Sequence, residues 1–157
     1  MKKITLLVMS VAMLALGSCK KDDDNNPTPS TSKTGILIAK PWKETARTIS
    51  PAIDINGKMV TDLYAEGEEC DNDDIYKFNA DKTYVAEEGA TKCDPADPQV
   101  WDTGTWSFNA DETQLIVNSF VQTNYNILSI SGTKATLSYV NVQNGVSYTT
   151  TIVYTAQ

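Results

Sequence analysis

The tightest constraint on this chain is a turn written twice. Phe78-Asn79-Ala80-Asp81-Lys82-Thr83 returns thirty residues later as Phe108-Asn109-Ala110-Asp111-Glu112-Thr113. Asn and Asp bond their own backbone and tolerate left-handed geometry, so both segments read as tight hairpin turns. Ser131-Gly132-Thr133-Lys134 and Gln143-Asn144-Gly145-Val146 add two more, the second carrying the strong Asn-Gly hairpin signal. From Lys40 onward no stretch holds apolar residues at helical spacing for three or four turns, whereas short alternating segments recur throughout. The class is therefore all-β.

Eight strands are predicted: Trp42 to Ile49, Ile75 to Phe78, Thr83 to Glu87, Gly104 to Phe108, Gln114 to Phe120, Asn124 to Ser131, Lys134 to Asn141 and Val146 to Thr155. A weaker one is placed at Met59 to Leu63, and a single helical turn before Trp42. Consecutive short connections make sequential strands antiparallel neighbours, and eight of them remove their exposed edges by closing into an up-and-down β-barrel. The runner-up, a two-layer β-sandwich, needs long crossovers, for which the chain offers only residues 50–74 and 89–103.

The other end of the chain carries an address. Lys2 and Lys3 precede an apolar run, Ile4 to Leu16, that is shorter than the ~20 residues a bilayer span requires, the grammar of a secretory signal. The run closes on Leu16-Gly17-Ser18-Cys19, which resembles the bacterial lipobox. That resemblance implies cleavage before Cys19 and its acylation, with palmitate among the chains, each buried CH₂ adding about 0.8 kcal/mol of membrane affinity. Lys20-Lys21-Asp22-Asp23-Asp24 is similar to the export tag of surface-exposed Bacteroidetes lipoproteins, and the polar run to Ser32 continues it as a spacer. The expected organisation is a lipoprotein signal peptide over residues 1–18, a lipidated cysteine and acidic, Pro/Ser/Thr-rich tether over 19–35, and one β-barrel domain over 36–157. The expected location is the cell surface, lipid-anchored to the outer membrane.

Charge and cysteines narrow the chemistry. Twenty acidic residues against 13 basic ones give a net charge of -7, and losing Lys2 and Lys3 with the leader makes it more negative, so nucleic acid is not an expected partner. With Cys19 assigned to lipid, Cys70 and Cys93 remain as an even pair in an oxidising compartment. They lie almost symmetrically about Asp81-Lys82, the centre of a predicted hairpin, and so face each other across it as a disulfide contributing about 3 kcal/mol. The chain has no histidine, which removes Ser-His-Asp and Cys-His nucleophile activation and histidine-ligated metals.

Early Pro41-Trp42-Lys43, the hairpin Tyr76-x-Phe78-x-x-Asp81-x-Thr83-Tyr84 and Gly104-Thr105-Trp106, together with the lipobox, resemble the lipocalin-like lipoproteins of Bacteroidetes bacteria. Two departures stand out: Lys82 where a turn glycine is usual, and no Gly-x-Trp before the first strand. The resemblance implies a fold and an address, and no particular ligand.

The candidate site residues follow. The acidic residues Glu66, Glu68, Glu69, Asp73, Glu87 and Glu88 read as a solvated rim, so no catalytic residue is assigned and the chain is not expected to be an enzyme. Asp54-Ile55-Asn56-Gly57, with Asp62, Asp71, Asp73 and Asp74 downstream, begins like a calcium loop. It lacks the third ligand and the terminal bidentate glutamate, so it reads as a turn and no metal or cofactor is assigned. Trp106 and Phe108 share one strand face opposite Leu115 and Val117 and read first as core. Trp101, on a Pro-rich loop near the barrel mouth, reads as a plug that can also stack on a ligand. Trp101 and Trp106 are the candidate ligand contacts. The leading functional reading is a monomeric, non-catalytic binder of a small apolar or amphipathic ligand, which a small-lined interior favours and a filled one opposes. The alternative is a filled barrel acting as a structural or interaction module of an outer-membrane complex, or as a glycan-binding accessory, marked by an exposed apolar rim.

Overall fold

The computed structural model describes residues 32–157. The signal segment, Cys19 and the tether up to residue 31 lie outside these described residues. A short helix, α1 (Lys33–Ile38), is followed by nine strands: β1 (Trp42–Ile55), β2 (Lys58–Asp62), β3 (Ile75–Phe78), β4 (Thr83–Glu87), β5 (Val100–Phe108), β6 (Gln114–Asn118), β7 (Gln122–Ile130), β8 (Lys134–Gln143) and β9 (Val146–Ala156). All pairings are antiparallel in the order β2-β1-β3-β4-β5-β6-β7-β8-β9, and β1 also pairs with β9. The result is the expected eight-stranded up-and-down barrel, with β2 as an extra strand on the far half of β1.

Both long connections, residues 63–74 and 88–99, lie at one end of this barrel, and at the other every connection is a tight turn. At the closed end, the repeated turn is realised twice in the same way: Lys82 and Glu112 take the left-handed conformation (φ 71° and 52°), and their N–H groups donate to Asn79 and Asn109 carbonyls at 3.0 Å. Lys82 thus fills the position a glycine usually takes, and its ammonium lies 3.8 Å from the Trp106 ring centre, a cation–π contact that offsets the backbone cost. Helix α1 starts at Ser32, whose hydroxyl accepts the Gly35 N–H. It lies across the closed end, held by the Trp42 indole N–H donating to the Leu37 carbonyl at 2.8 Å and by Lys33 bonding the Glu112 carbonyl.

Inside, the alternation of each strand points Trp42, Phe78, Tyr84, Ala86, Trp106, Leu115, Val117, Ala135 and Leu137 at one another, all buried. Trp106 meets Phe78 and Phe108 edge to face, with ring centres 5.9 and 5.6 Å apart, the arrangement the ring quadrupoles favour. The void left among these side chains is about 10 Å³, apolar, and room for a single water at most. The lower half of the barrel is filled.

Several strand bounds shift by one or two residues, and two strands, β1 and β5, extend well beyond expectation. β1 continues past Pro51 to Ile55, because Pro51 falls in the irregular stretch between Thr48 and Ile53 where the β1–β2 ladder lapses and no N–H is needed. Asn56 and Gly57, both at positive φ, then make a two-residue hairpin turn whose Gly57 N–H donates to Asp54 Oδ1 at 2.6 Å. The stretch weighed as a calcium loop is this turn. β5 starts four residues earlier than the alternation suggests, at Val100, which moves Trp101 from the loop onto a strand.

Candidate functional site

The open end is shaped by a short seam. β1 and β3 pair only through Trp42↔Tyr76 and Lys43↔Ile75, whereas β1 and β9 pair from Trp42 to Ser50. Beyond Lys43 the free edge of β1 turns to β2, and its Arg47 carbonyl accepts N–H groups from Leu63 and Tyr64 at 2.8 and 3.1 Å. The connection from β2 to β3 begins there and delivers Asp71 and Asp74 beside the mouth. Cys70 and Cys93, bonded to each other, tie this connection to the one between β4 and β5. The bridge is the expected pair but lies beyond the last β3–β4 rung, Ile75↔Glu87, in the loops and not across the ladder. Thr91 donates its N–H and hydroxyl to Asp73 Oδ2 at 2.9 and 3.0 Å. Gly89 packs so closely that an added Cβ would sit 2.1 Å from the Asp73 carbonyl oxygen.

Two bulges aim side chains into this end. Opposite β9, Glu44 faces Tyr154 and Arg47 faces Ile152, with an extra residue inserted between Glu44 and Ala46. The slip places Glu44 and Arg47, three apart, on the inner face, where regular alternation would have put residues 44 and 46. They form a 2.6 Å ion pair, with Glu44 4% exposed and Arg47 half-exposed. Burial pushes the Glu44 carboxyl up in spite of Arg47, while the hydrogen bond and charge of Glu44 outweigh burial and keep Arg47 firmly protonated. Tyr76, Tyr84, Tyr125 and Tyr154 are all pushed up chiefly by burial, and Tyr154 reaches the apolar base, where it lines the small void. In β5 the second bulge makes Trp101 the extra residue between Val100↔Glu87 and Asp102↔Ala86. Its ring meets Tyr76 edge-on at 6.3 Å.

Between these elements lies an open recess of about 270 Å³ lined by Arg47, Asp71, Asp74, Tyr76, Glu88 and Trp101. Asp74 is 8% exposed and its Oδ1 has no hydrogen-bond partner. Burial, then the negative charges of Glu88, Asp71 and Asp73, push its carboxyl up to about 6, with a Trp101 hydrogen bond acting the other way. On the other side of Trp101 a shallow groove of about 460 Å³ runs along Asp102, Ser119, Phe120 and Val121. Phe120 is 95% exposed, and with Val121 and Trp101 it makes an apolar lip.

The sequence-derived candidates divide accordingly. Trp101 stands at the mouth. Trp106 does not: it is 2% exposed in the filled half, its indole N–H donating to the Asn79 carbonyl at 3.0 Å, a packing position away from the recess. Asp54 serves its turn, and Glu66 pairs with Lys58 at 2.5 Å. Among the described residues, the one group spaced to hold a metal is Glu68, Cys70 and Cys93, whose sulfurs are consumed by the disulfide. The two carboxyls pushed upward do not share the recess, since Asp74 lines it and Glu44 is sealed beneath Arg47. Glu44 and Arg47 escaped the sequence reading, and Tyr76 entered it only as part of a hairpin motif. The available signal was a strand beginning Trp42-x-Glu44-x-x-Arg47, with opposite charges at a spacing only a bulge brings onto one face.

A family model described as a lipocalin-like domain matches residues 38–139. No curated protein matches the chain. Among solved structures, bovine odorant-binding protein in complex with undecanal is similar with a TM-score of 0.46 and 12% identity, over 82% of this chain and 75% of that one. The same bovine protein with a selenium-containing odorant aligns at 0.44 and 15% identity, over 82% and 74% of the two chains.

Proposed function

Since a match across residues 38–139 places this chain in the lipocalin-like domain family, we propose that it is a non-catalytic binding protein that holds a small amphipathic ligand at the open end of its barrel. The observation that carries this reading is the recess of about 270 Å³ above a base whose remaining void is about 10 Å³. Ligand sites combine apolar walls with a few convergent polar groups, and here Tyr76, Trp101 and the Phe120–Val121 lip supply the first, Arg47, Asp74 and Glu88 the second. The deep-pocket form of the reading, with a ligand inside the barrel, is replaced by a mouth site. The test is titration of the disulfide-bonded full chain with the neutral fluorophore N-phenyl-1-naphthylamine. Saturable enhancement that falls at least about tenfold in affinity in Trp101→Ala supports the mouth site. No binding, or binding indifferent to Trp101, sinks it.

We further propose that the domain is tethered at the cell surface of the outer membrane through acylated Cys19, a reading supported by Lys2, Lys3, the apolar run and Leu16-Gly17-Ser18-Cys19. Metabolic labelling with an alkynyl palmitate tests it: label lost in Cys19→Ala supports the tether, and label retained there refutes it. A second reading, an interaction module, rests on the 95% exposure of Phe120 beside Val121 and Trp101. It predicts that Phe120→Ser abolishes recovery of a specific outer-membrane protein on cross-linking in cells; an unchanged cross-link pattern counts against it.

A further inference from the structure

The recess has a sign. Three carboxylates, Asp71, Asp74 and Glu88, line it against a single cation, Arg47, whose terminal nitrogen is engaged by Glu44 at 2.6 Å while its buried Nε has no acceptor. Asp74 is the most informative member. A carboxylate oxygen that is buried and lacks a donor is costly, and native structures seldom leave one without a purpose. Asp74 Oδ1 is such an atom, on a side chain 8% exposed that lines the recess. An anionic ligand would meet repulsion from all three carboxylates. A neutral hydroxyl would satisfy the orphan oxygen but leave the like charges facing one another. A cationic donor does both. The walls agree: Tyr76 and Trp101, edge to face at 6.3 Å, present aromatic surface of the kind that attracts ammonium groups. Trp101 also lines the neighbouring groove with Phe120 and Val121, so an apolar tail leaving the recess passes straight onto the lip.

We propose, resting on the mouth-site reading above, that the recess is an ammonium site, taking the protonated amine of a cationic amphiphile against Asp74, Asp71 and Glu88 with its apolar tail laid along Trp101, Phe120 and Val121. The test is isothermal titration of the disulfide-bonded full chain at pH 7.5 with three probes of one tail length: octylammonium, 1-octanol and octanoate. Octylammonium is expected to bind at least about tenfold more tightly than 1-octanol, with octanoate weakest. Asp74→Asn is expected to lower octylammonium affinity about tenfold and leave 1-octanol unchanged, and Glu88→Gln, which leaves Asp74 in place, to lower it about threefold. A preference for 1-octanol or octanoate, no octylammonium binding, or octylammonium binding unmoved in both variants overturns the ammonium site. In each of those cases N-phenyl-1-naphthylamine separates the two claims: if it still binds in a Trp101-dependent way the mouth site stands without its ammonium preference, and if it does not, both fall.

Discussion

At the base of the barrel, Trp42, Phe78, Trp106, Phe108 and Leu115 close on one another until about 10 Å³ is left, and every connection is a tight turn or the capping helix α1. At the mouth the same strands diverge around an open recess of about 270 Å³, with a buried ion pair, an orphan carboxyl oxygen and two long disulfide-linked connections. The base has satisfied turns and, apart from one slip between Ile127 and Ser129, regular alternation. The mouth collects the bulges of β1 and β5 and the unpartnered polar atoms. In small domains the stabilising interactions and the strained or under-satisfied ones tend to be segregated, because a site that must bind something keeps unmet demands until its ligand arrives. Here the division runs along the barrel axis.

The largest effect that sharpens this contrast is expected at the base. Trp106→Ala removes a 2% exposed indole and its hydrogen bond, and should lower unfolding free energy by about 3–5 kcal/mol in urea titration. A loss under about 1 kcal/mol would mean the base is not where stability resides. Next comes the mouth's covalent tie. The Cys70–Cys93 bridge closes a separation of 23 residues, so the double Ser variant should lose about 3 kcal/mol, read as a lowered Tm. It should also weaken N-phenyl-1-naphthylamine binding, because the bridge joins the connections that carry Asp74 and Glu88; unchanged binding would uncouple the loops from the site.

The smallest effect has the opposite sign. Asp74 titrates near 6 in the folded protein against an ordinary value of 3.8, so between these values the native state holds a proton that the unfolded chain has released. Stability from this group therefore falls as pH rises through that window, and the penalty is complete above about 6. Asp74→Asn should raise Tm by a few degrees at pH 7.5, on the order of 1 kcal/mol, with the gain vanishing near pH 4. An Asn variant less stable at pH 7.5 would place Asp74 among the structural residues of the mouth and not among its unmet groups.

How much of this was legible in the sequence follows the same division. The bounds of β3 and β4, the shared face of Trp106 and Phe108, and the turns at Asn79 and Asn109 are local statements, and each is spelled out in consecutive residues. The disulfide partners were legible from cysteine parity, although their placement in the loops was not. Glu44 and Arg47 were missed because a bulge is an event between two strands: the extra residue between Glu44 and Ala46 exists only relative to β9. The same holds for Trp101 against β4, and for Leu128, left 59% exposed by the slip between β7 and β8. β1 beyond Pro51 was hidden for a related reason, since a proline argues against a strand until the lapsed ladder beside it is known.

The backbone N–H of Gln157, just past β9, donates to the carbonyl of Pro41, just before β1, at 3.0 Å, so the chain comes into the barrel and leaves it through the same floor. The start of α1 therefore lies at the sealed foot of the barrel, the end opposite the recess and the Phe120 lip. A fluorophore or purification handle joined at either side of that floor stays clear of the mouth, which leaves both Trp101 and its prospective guest unobstructed for the titrations above.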